Sequence, residues 1–165
     1  MELGCGNGKN LNYRTDCINI GSDVCSEFCK ITKERKIQTI VANTISIPFK
    51  SNSIDIILSI AVLHHIYNEN DRIKALNEMI RVLKSGGQLM IQVWALRQEK
   101  KARRQFLEGD NYVSFKTHDK SSSEERYYYI YSEQKFLDLL SNIKGVTIDK
   151  YIWEKGNWIA ILTKK

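Results

Sequence analysis

Glu2-Leu3-Gly4-Cys5-Gly6-Asn7-Gly8 is the stretch whose reading decides the fold. It is an ExGxGxG run directly after a short apolar start. Glycines at alternate positions let the backbone turn sharply and approach a ligand with no Cβ in the way. A dinucleotide fingerprint, GxGxxG, would place its third glycine at position 9, where this chain has Lys9. The spacing therefore points to a different nucleotide-like ligand, with a plain turn-rich start as the alternative for the loop taken alone. The strand leading into the loop is only Met1-Glu2-Leu3. Central parallel strands usually run five or six residues, so the first strand is expected to be truncated.

Outward from the loop, apolar β-branched runs alternate with helical patterns, the signature of a parallel α/β sheet. Residues 18–21, 37–42, 54–59 and 88–95 read as strands. Ile73, Leu76, Ile80 and Leu83 recur at helical spacing, so residues 71–84 are expected to form an amphipathic helix ended by Gly86-Gly87. Residues 100–125 lack apolar periodicity and carry Ser121-Ser122-Ser123, which reads as a mobile excursion. Residues 126–131 are aromatic and extended, and Ser132 is placed to cap a helix bearing Phe136, Leu139 and Leu140. Residues 146–153 and 158–163 alternate around Gly156-Asn157 as a closing antiparallel hairpin. No repeat or linker divides the 165 residues, so residues 1–165 are read as one domain.

Composition narrows the function classes. Hydrophobic residues make up 42% and charged residues 27%, with one proline, which argues against a disordered chain. The longest apolar runs fall far short of the roughly 18 residues that span a bilayer, and no leader pattern opens the sequence. The expectation is no membrane association and a cytoplasmic location, with the nucleus open. Cys5, Cys17, Cys25 and Cys29 crowd the first part of the chain without a second pair at metal-ligand spacing, so they read as small buried residues and no metal is expected. The formal charge of +6 is unevenly placed: residues 97–104 hold five positive side chains against one negative. Such a run is either a solvated face or a phosphate-contacting patch.

Further elements fall in order behind the glycine loop. Asp23 lies at the end of the second predicted strand, where an acid accepts both hydroxyls of a ribose. Its plainer role is the N-cap of the helix that follows. Ala42-Asn43 ends the third strand, Ile47-Pro48-Phe49 follows, and Ile54-Asp55-Ile56-Ile57-Leu58-Ser59 leads into Ile60-Ala61-Val62-Leu63-His64-His65. This order and spacing resembles the class I S-adenosylmethionine-dependent methyltransferases over nearly the whole chain from Gly4 onward. The resemblance implies a Rossmann-like α/β fold, with a mostly parallel sheet of the seven-stranded type and a C-terminal antiparallel hairpin.

It narrows at four segments: Ser59-Ile60-Ala61-Val62-Leu63-His64-His65, then Val93-Trp94-Ala95-Leu96 with Gln98, then Arg126-Tyr127-Tyr128-Tyr129-Ile130-Tyr131, and finally Asn157-Trp158. Together they are similar to the tRNA wobble-uridine carboxymethyl methyltransferases. That family esterifies the carboxylate of 5-carboxymethyluridine at position 34 and works as a heterodimer with a small zinc-binding activator protein.

The resemblance implies roles for the matched positions. Glu2, Gly4, Gly6 and Gly8 would surround the amino-acid end of S-adenosylmethionine, Asp23 would hold its ribose, and Asn43 would accept from its adenine in place of the usual aspartate. Ser59 and Ala61 would floor the pocket near the methyl donor. His64, His65, Arg72, Asn157 and Trp158 would position the substrate. Arg97, Lys100, Lys101, Arg103 and Arg104 would contact phosphates, with Tyr127 and Tyr129 walling an anticodon base. Trp94 is assigned to the core.

Each has a bland counterpart: packing or capping histidines, a surface ion pair between Arg72 and Glu69, and tyrosines that only fill a strand. The activator is expected along the edge strand at 37–42, because bare strand edges invite pairing. Two other readings stay open, a class I methyltransferase acting on another substrate and a catalytically silent binding subunit.

Overall fold

Residues 1–11, 13–102, 104–116 and 123–165 are described by a computed structural model. Arg103 and two of the three serines at 121–123 lie outside the described residues. Five parallel strands form most of the main sheet: β1 (Glu2–Leu3), β2 (Ile20–Asp23), β3 (Gln38–Val41), β4 (Ile54–Ile60) and β5 (Leu83–Trp94). The last two strands, β8 (Val146–Glu154) and β9 (Asn157–Lys164), make the expected antiparallel hairpin, and β9 pairs antiparallel with β5. The order across the seven strands is β3-β2-β1-β4-β5-β9-β8. β1 thus sits inside the sheet with β2 and β4 on its flanks, where the strand order reverses.

β1 is two residues long, yet it is held on both sides. Glu2 and Leu3 register with Gly21 and Ser22 of β2 and with Leu58 and Ser59 of β4. The ladder continues past its ends through Cys5 N–H to the Ser22 carbonyl and Leu58 N–H to the Met1 carbonyl, both 2.9 Å. Leu3 is fully buried in the principal core, between Ile57, Leu63, Leu89, Ile91 and their neighbours. Burying a leucine-sized side chain is worth roughly 1.5–3 kcal/mol, so packing anchors this short strand as much as its hydrogen bonds do.

Three helices cover the sheet: α1 (Ser26–Glu34), α2 (Glu69–Val82) and α3 (Glu133–Ser141). α2 buries Ala75, Leu76, Met79, Ile80 and Val82, the face predicted by its periodicity. Its ends differ from the expected 71–84. The Asn68 side chain accepts from the Asn70 N–H at 2.8 Å, which starts the helix two residues earlier. It stops at Val82 because Leu83 turns extended and pairs with Ile54. Gly86 and Gly87 do not end it; they lie inside β5, where the register slips between the Ile54 and Ile56 pairs. The last turn is closed from outside by Lys164, whose ammonium donates to the Ile80 and Leu83 carbonyls at 2.7 Å each. α3 follows the prediction: Ser132 accepts from the Lys135 N–H, and Phe136, Leu139 and Leu140 are buried.

The span expected to be a mobile excursion contains ordered structure. β6 (Gly109–Lys116) and β7 (Ser123–Ile130) form a separate two-stranded antiparallel sheet, registered from Gly109 with Ile130 to Lys116 with Ser123. Side chains alternate between the two faces of a strand, and here Val113 clusters on one face with Tyr128 and Ile130 of the other strand. Trp94, Leu96 and Phe106 pack against this small cluster. The ribbon is tied to the main sheet through Tyr131 N–H to the Trp94 carbonyl and Leu96 N–H to the Tyr131 carbonyl. No helix among the described residues is long and apolar enough to cross a membrane.

A cation held against helix C-terminal carbonyls in a partly buried place stabilises by about 1–2 kcal/mol. Lys164→Met, which keeps the stem and removes the ammonium, should lower stability by that amount. A urea titration should show a lower midpoint with an unchanged slope.

Candidate functional site

A cavity of about 780 Å³ opens at the C-terminal ends of the parallel strands, the place where open α/β sheets bind ligands. The glycine loop forms one wall. Gly4, Gly6 and Gly8 all have positive φ, and a Cβ on Gly6 would meet no atom within 4 Å. That position faces open space in the cavity, so its backbone is bare toward whatever binds there. The loop is clamped from behind: the Thr32 hydroxyl donates to the Gly6 carbonyl at 2.8 Å, and Gly6 N–H donates to Asp23 Oδ2 at 2.9 Å.

Asp23 is not the N-cap of α1, a position that Cys25 holds without a side-chain cap. Asp23 Oδ1 accepts from the Cys25 N–H at the entry to α1 and Oδ2 accepts from the loop, while the side chain also lines the cavity. Each carboxylate oxygen keeps lone pairs for a ligand's hydroxyls. Glu2 is almost fully buried at the cavity wall. Its Oε1 accepts from Asn10 at 2.7 Å, but Oε2 has no partner. Burial raises its pKa, and an unpartnered buried carboxylate oxygen is costly unless a donor or cation meets it. Asn43 also lines the cavity, with its Oδ1 accepting from the Ile45 N–H at 3.1 Å and retaining a second lone pair.

At the far wall, β4 is followed by Ala61, which lines the cavity with φ of 59°. Left-handed backbone in a residue with a Cβ costs of order 1–3 kcal/mol and is characteristic of functional sites. Ser59 is fully buried with an unpartnered Oγ, and it lies beneath the lining rather than on it.

The single 3₁₀ turn Leu63–His65 then places two histidines with opposite tautomers. The Trp94 backbone N–H donates to His64 Nδ1 at 3.1 Å, so that nitrogen must carry a lone pair and Nε2 must carry the proton. His64 is 0% exposed and its Nε2 has no partner. Burial holds its pKa well below the ordinary histidine value, and neighbouring His65 pushes the same way. His64 is thus a neutral N–H donor at the cavity wall. His65 Nδ1 lies 2.9 Å from the Tyr127 carbonyl, which can only accept, so there Nδ1 carries the proton. Its pKa is lowered by the desolvation of packing on Tyr128 and by Arg126.

Trp94 corrects its assignment to the core. It lines the cavity and stacks on Tyr128 with ring centroids 4.2 Å apart and planes within 11°. Tyr127 and Arg126 complete that wall. Other lining residues missed by the sequence reading include Phe28, Thr44, Ile60 and Val62. Period-two alternation in β7 could have separated inward Tyr128 and Ile130 from Tyr127 and Tyr129; nothing in the sequence marks Phe28. Cys5 also lines the cavity, but burial pushes its thiol up to about 11, so it is no nucleophile at neutral pH.

Several expected residues lie elsewhere. Arg72 is buried away from the cavity, donating to the Ile66 and Tyr67 carbonyls at 2.8 and 2.9 Å with its guanidinium over the Tyr129 ring. It braces the segment after the histidines, and the expected ion pair with Glu69 is replaced by these carbonyls. Trp158 is core, donating to the Tyr131 carbonyl at 3.0 Å. Asn157 and Arg104 line a second, smaller cavity. Lys100 and Lys101 are exposed, and Arg97 lies over the Trp153 ring at 4.4 Å. No group of three or more His, Cys, Asp or Glu suited to a metal occurs among the described residues.

His64 predicts a pH dependence of stability. A histidine whose folded pKa is lowered leaves the folded state unable to take the proton that the unfolded chain accepts below about 6.5. Stability is therefore complete above that value and falls as pH drops, by up to about 1.4 kcal/mol per pH unit per histidine. Denaturant titrations from pH 7 to 5 should show this loss. In His64→Asn, which keeps an acceptor for the Trp94 N–H, the slope should be distinctly shallower.

Comparison with known proteins places this geometry. A family profile described as a methyltransferase domain matches residues 1–91. The tRNA (carboxymethyluridine(34)-5-O)-methyltransferase of Schizosaccharomyces pombe is 32% identical over an alignment covering 99% of this chain and 80% of the relative. The Xenopus tropicalis enzyme of the same name is 43% identical over 107 residues, covering 64% of this chain. This chain spans 17% of that protein's length, and 24% of the Arabidopsis thaliana relative that is 41% identical to it. Among solved structures, S-adenosylmethionine-dependent methyltransferases from Clostridium acetobutylicum and Methanosarcina mazei superpose with TM-scores of 0.78 and 0.77. They are 16% and 19% identical and cover 99% of this chain, with 82% and 90% of their own lengths matched, so they share its fold. The chain belongs to the methyltransferase-domain family, with the fold of the S-adenosylmethionine-dependent enzymes and kinship to the tRNA (carboxymethyluridine(34)-5-O)-methyltransferases.

Proposed function

We propose that the protein is an S-adenosylmethionine-dependent tRNA methyltransferase that esterifies the carboxylate of 5-carboxymethyluridine at position 34. The observation that carries this reading is the polarity of the cavity. Its glycine-loop end presents two carboxylates, Glu2 and Asp23, and the other end presents a neutral N–H from His64 among aromatic rings. The unpartnered Glu2 oxygen suits a cationic ligand, and Asp23 suits a pair of ribose hydroxyls. S-adenosylmethionine, when bound, supplies an electrophilic methyl group and releases the neutral thioether.

Little else is required of the chain. A carboxylate with a pKa near 4 is already ionised at neutral pH, so no residue has to take a proton. His64, Tyr127 and the Trp94–Tyr128 pair would orient the carboxylate and its base and exclude water. Holding reacting groups in a near-attack arrangement is worth roughly 7–11 kcal/mol. The nucleophile loses its negative charge as the ester forms, so a neutral donor serves better than a tight cationic clamp, which would favour the ground state. His64 has that property. Arg72, committed to backbone carbonyls, supports the site from behind, and Lys9 and Arg126 are the cations on the cavity wall.

RNA would approach over the positive segment carrying Arg97, Lys100, Lys101 and Arg104. A small zinc-binding activator would pair with β3, which is an edge of the sheet. Val24, Phe28, Ile31 and Val41 are exposed on and near it, Val41 at 59%. The four free cysteines suit a reducing compartment such as the cytoplasm or nucleus.

The test uses labelled S-adenosylmethionine and tRNA carrying 5-carboxymethyluridine, with and without a candidate activator. Label should enter the tRNA and leave as methanol on mild base treatment, as a methyl ester does. Label that survives base would exclude the ester, and no label from folded protein with activator would exclude the activity.

A further inference from the structure

Beside the main cavity lies a second one of about 360 Å³, and Trp94 lines both. Tyr128, on the first-cavity side, stacks on that indole, while Phe106, on the second-cavity side, packs against it at 5.4 Å. The indole is therefore a partition with an aromatic partner in each chamber. Two cations, Arg104 and Lys155, line the second chamber, and no acidic residue among the described residues does. Lys155 has no side-chain partner among the described residues, and Arg104 makes one contact, to the Ser114 carbonyl at 3.1 Å.

The polar edge is built. Gln98 donates to the Ala95 carbonyl at 2.6 Å and the Gly156 carbonyl at 3.3 Å, which pins the turn between β8 and β9. A Cβ on Gly156 would stand 2.6 Å from Gln98 Oε1, and its φ is 76°, so only glycine lets the turn close on this amide. Asn157 spends its amide N–H groups on the Glu154 and Lys155 carbonyls, which leaves its carbonyl oxygen able to accept.

Aromatic walls, uncompensated cations and amide edges in a chamber of this size suit one nucleotide: a base stacks on the ring, its edge meets the amides, and phosphate meets the cations. Resting on the tRNA reading above, we propose that this second chamber binds the nucleotide adjacent to the modified one. Trp94 would separate two successive splayed bases. Reading a neighbour would restrict which anticodons are accepted without adding anything to the chemistry.

The experiment uses an anticodon stem–loop carrying 5-carboxymethyluridine, intact or abasic at either flanking position, with S-adenosylmethionine for turnover and S-adenosylhomocysteine for binding by fluorescence anisotropy. Loss of one flanking base should weaken binding and raise KM by roughly ten- to hundred-fold with kcat unchanged, as loss of a stacked base does. Phe106→Ala should show the same loss on intact RNA and little more on the abasic RNA. Lys155→Gln, at an exposed turn that does not endanger folding, should lower the salt dependence of binding by about one counterion.

Methylation that is indifferent to both flanking bases, or penalties from protein and RNA changes that simply multiply, would overturn the chamber assignment and leave the activity standing. RNA binding with the coupled loss but no methyl transfer would overturn the activity and leave the chamber. Failure to bind the RNA would overturn both.

Discussion

The hydrogen bond from the Trp94 backbone N–H to His64 Nδ1 fixes the far wall of the cavity. It runs from the end of β5 to the turn after β4, beside the point where the β6–β7 ribbon leaves the main sheet. A backbone amide can only donate, so it fixes the imidazole tautomer, and burial fixes its charge. Both properties come from placement rather than from a catalytic partner. The far wall of the cavity is thus a consequence of where two strands end, and Tyr128 packs on the result.

The opposite wall obeys a different constraint. Glu2 and Asp23 stand at the ends of adjacent central strands, and the glycine loop between them keeps its backbone open toward the cavity. Two carboxylates near bare backbone favour a ligand that carries positive charge and hydroxyls. The ring stack and the neutral donor at the other side favour a flat group with an oxygen to orient. A transfer between a cation and an anion needs these two environments in one chamber, with charge disappearing as the reaction proceeds. No proton-moving dyad is required by that chemistry.

Much of the framework was legible because it rests on short-range pattern. The alternation of β-branched runs with helical periodicity placed the strands of the main sheet within about two residues, except that β5 begins at Leu83, ahead of the expected 88–95, and ExGxGxG followed by Asp23 located the cavity's near wall. The ends of α2 were not legible, since they depend on Asn68 and on Lys164, the latter reaching across from the last strand. β6 was not legible, although β7 was read as extended from residue 126, because the burial of the ribbon rests on a few residues, with Val113 clustering with Tyr128 and Ile130 of the other strand. Arg72 was misplaced for a similar reason: a buried guanidinium on backbone carbonyls and one facing a substrate look alike in sequence. Trp94 read as core because an aromatic at a strand end carries no mark of the cavity beside it.

The tautomer of His64 is the most direct measure of the account. In protein with ¹⁵N-labelled histidine, the account predicts a protonated Nε2 and an unprotonated Nδ1, coupled across the hydrogen bond to the Trp94 amide. The ring should remain neutral as the pH falls through the range in which an ordinary histidine takes its proton. A proton on Nδ1, or an imidazolium at pH 7, would contradict it, since His64 would then be neither locked by Trp94 nor a neutral donor.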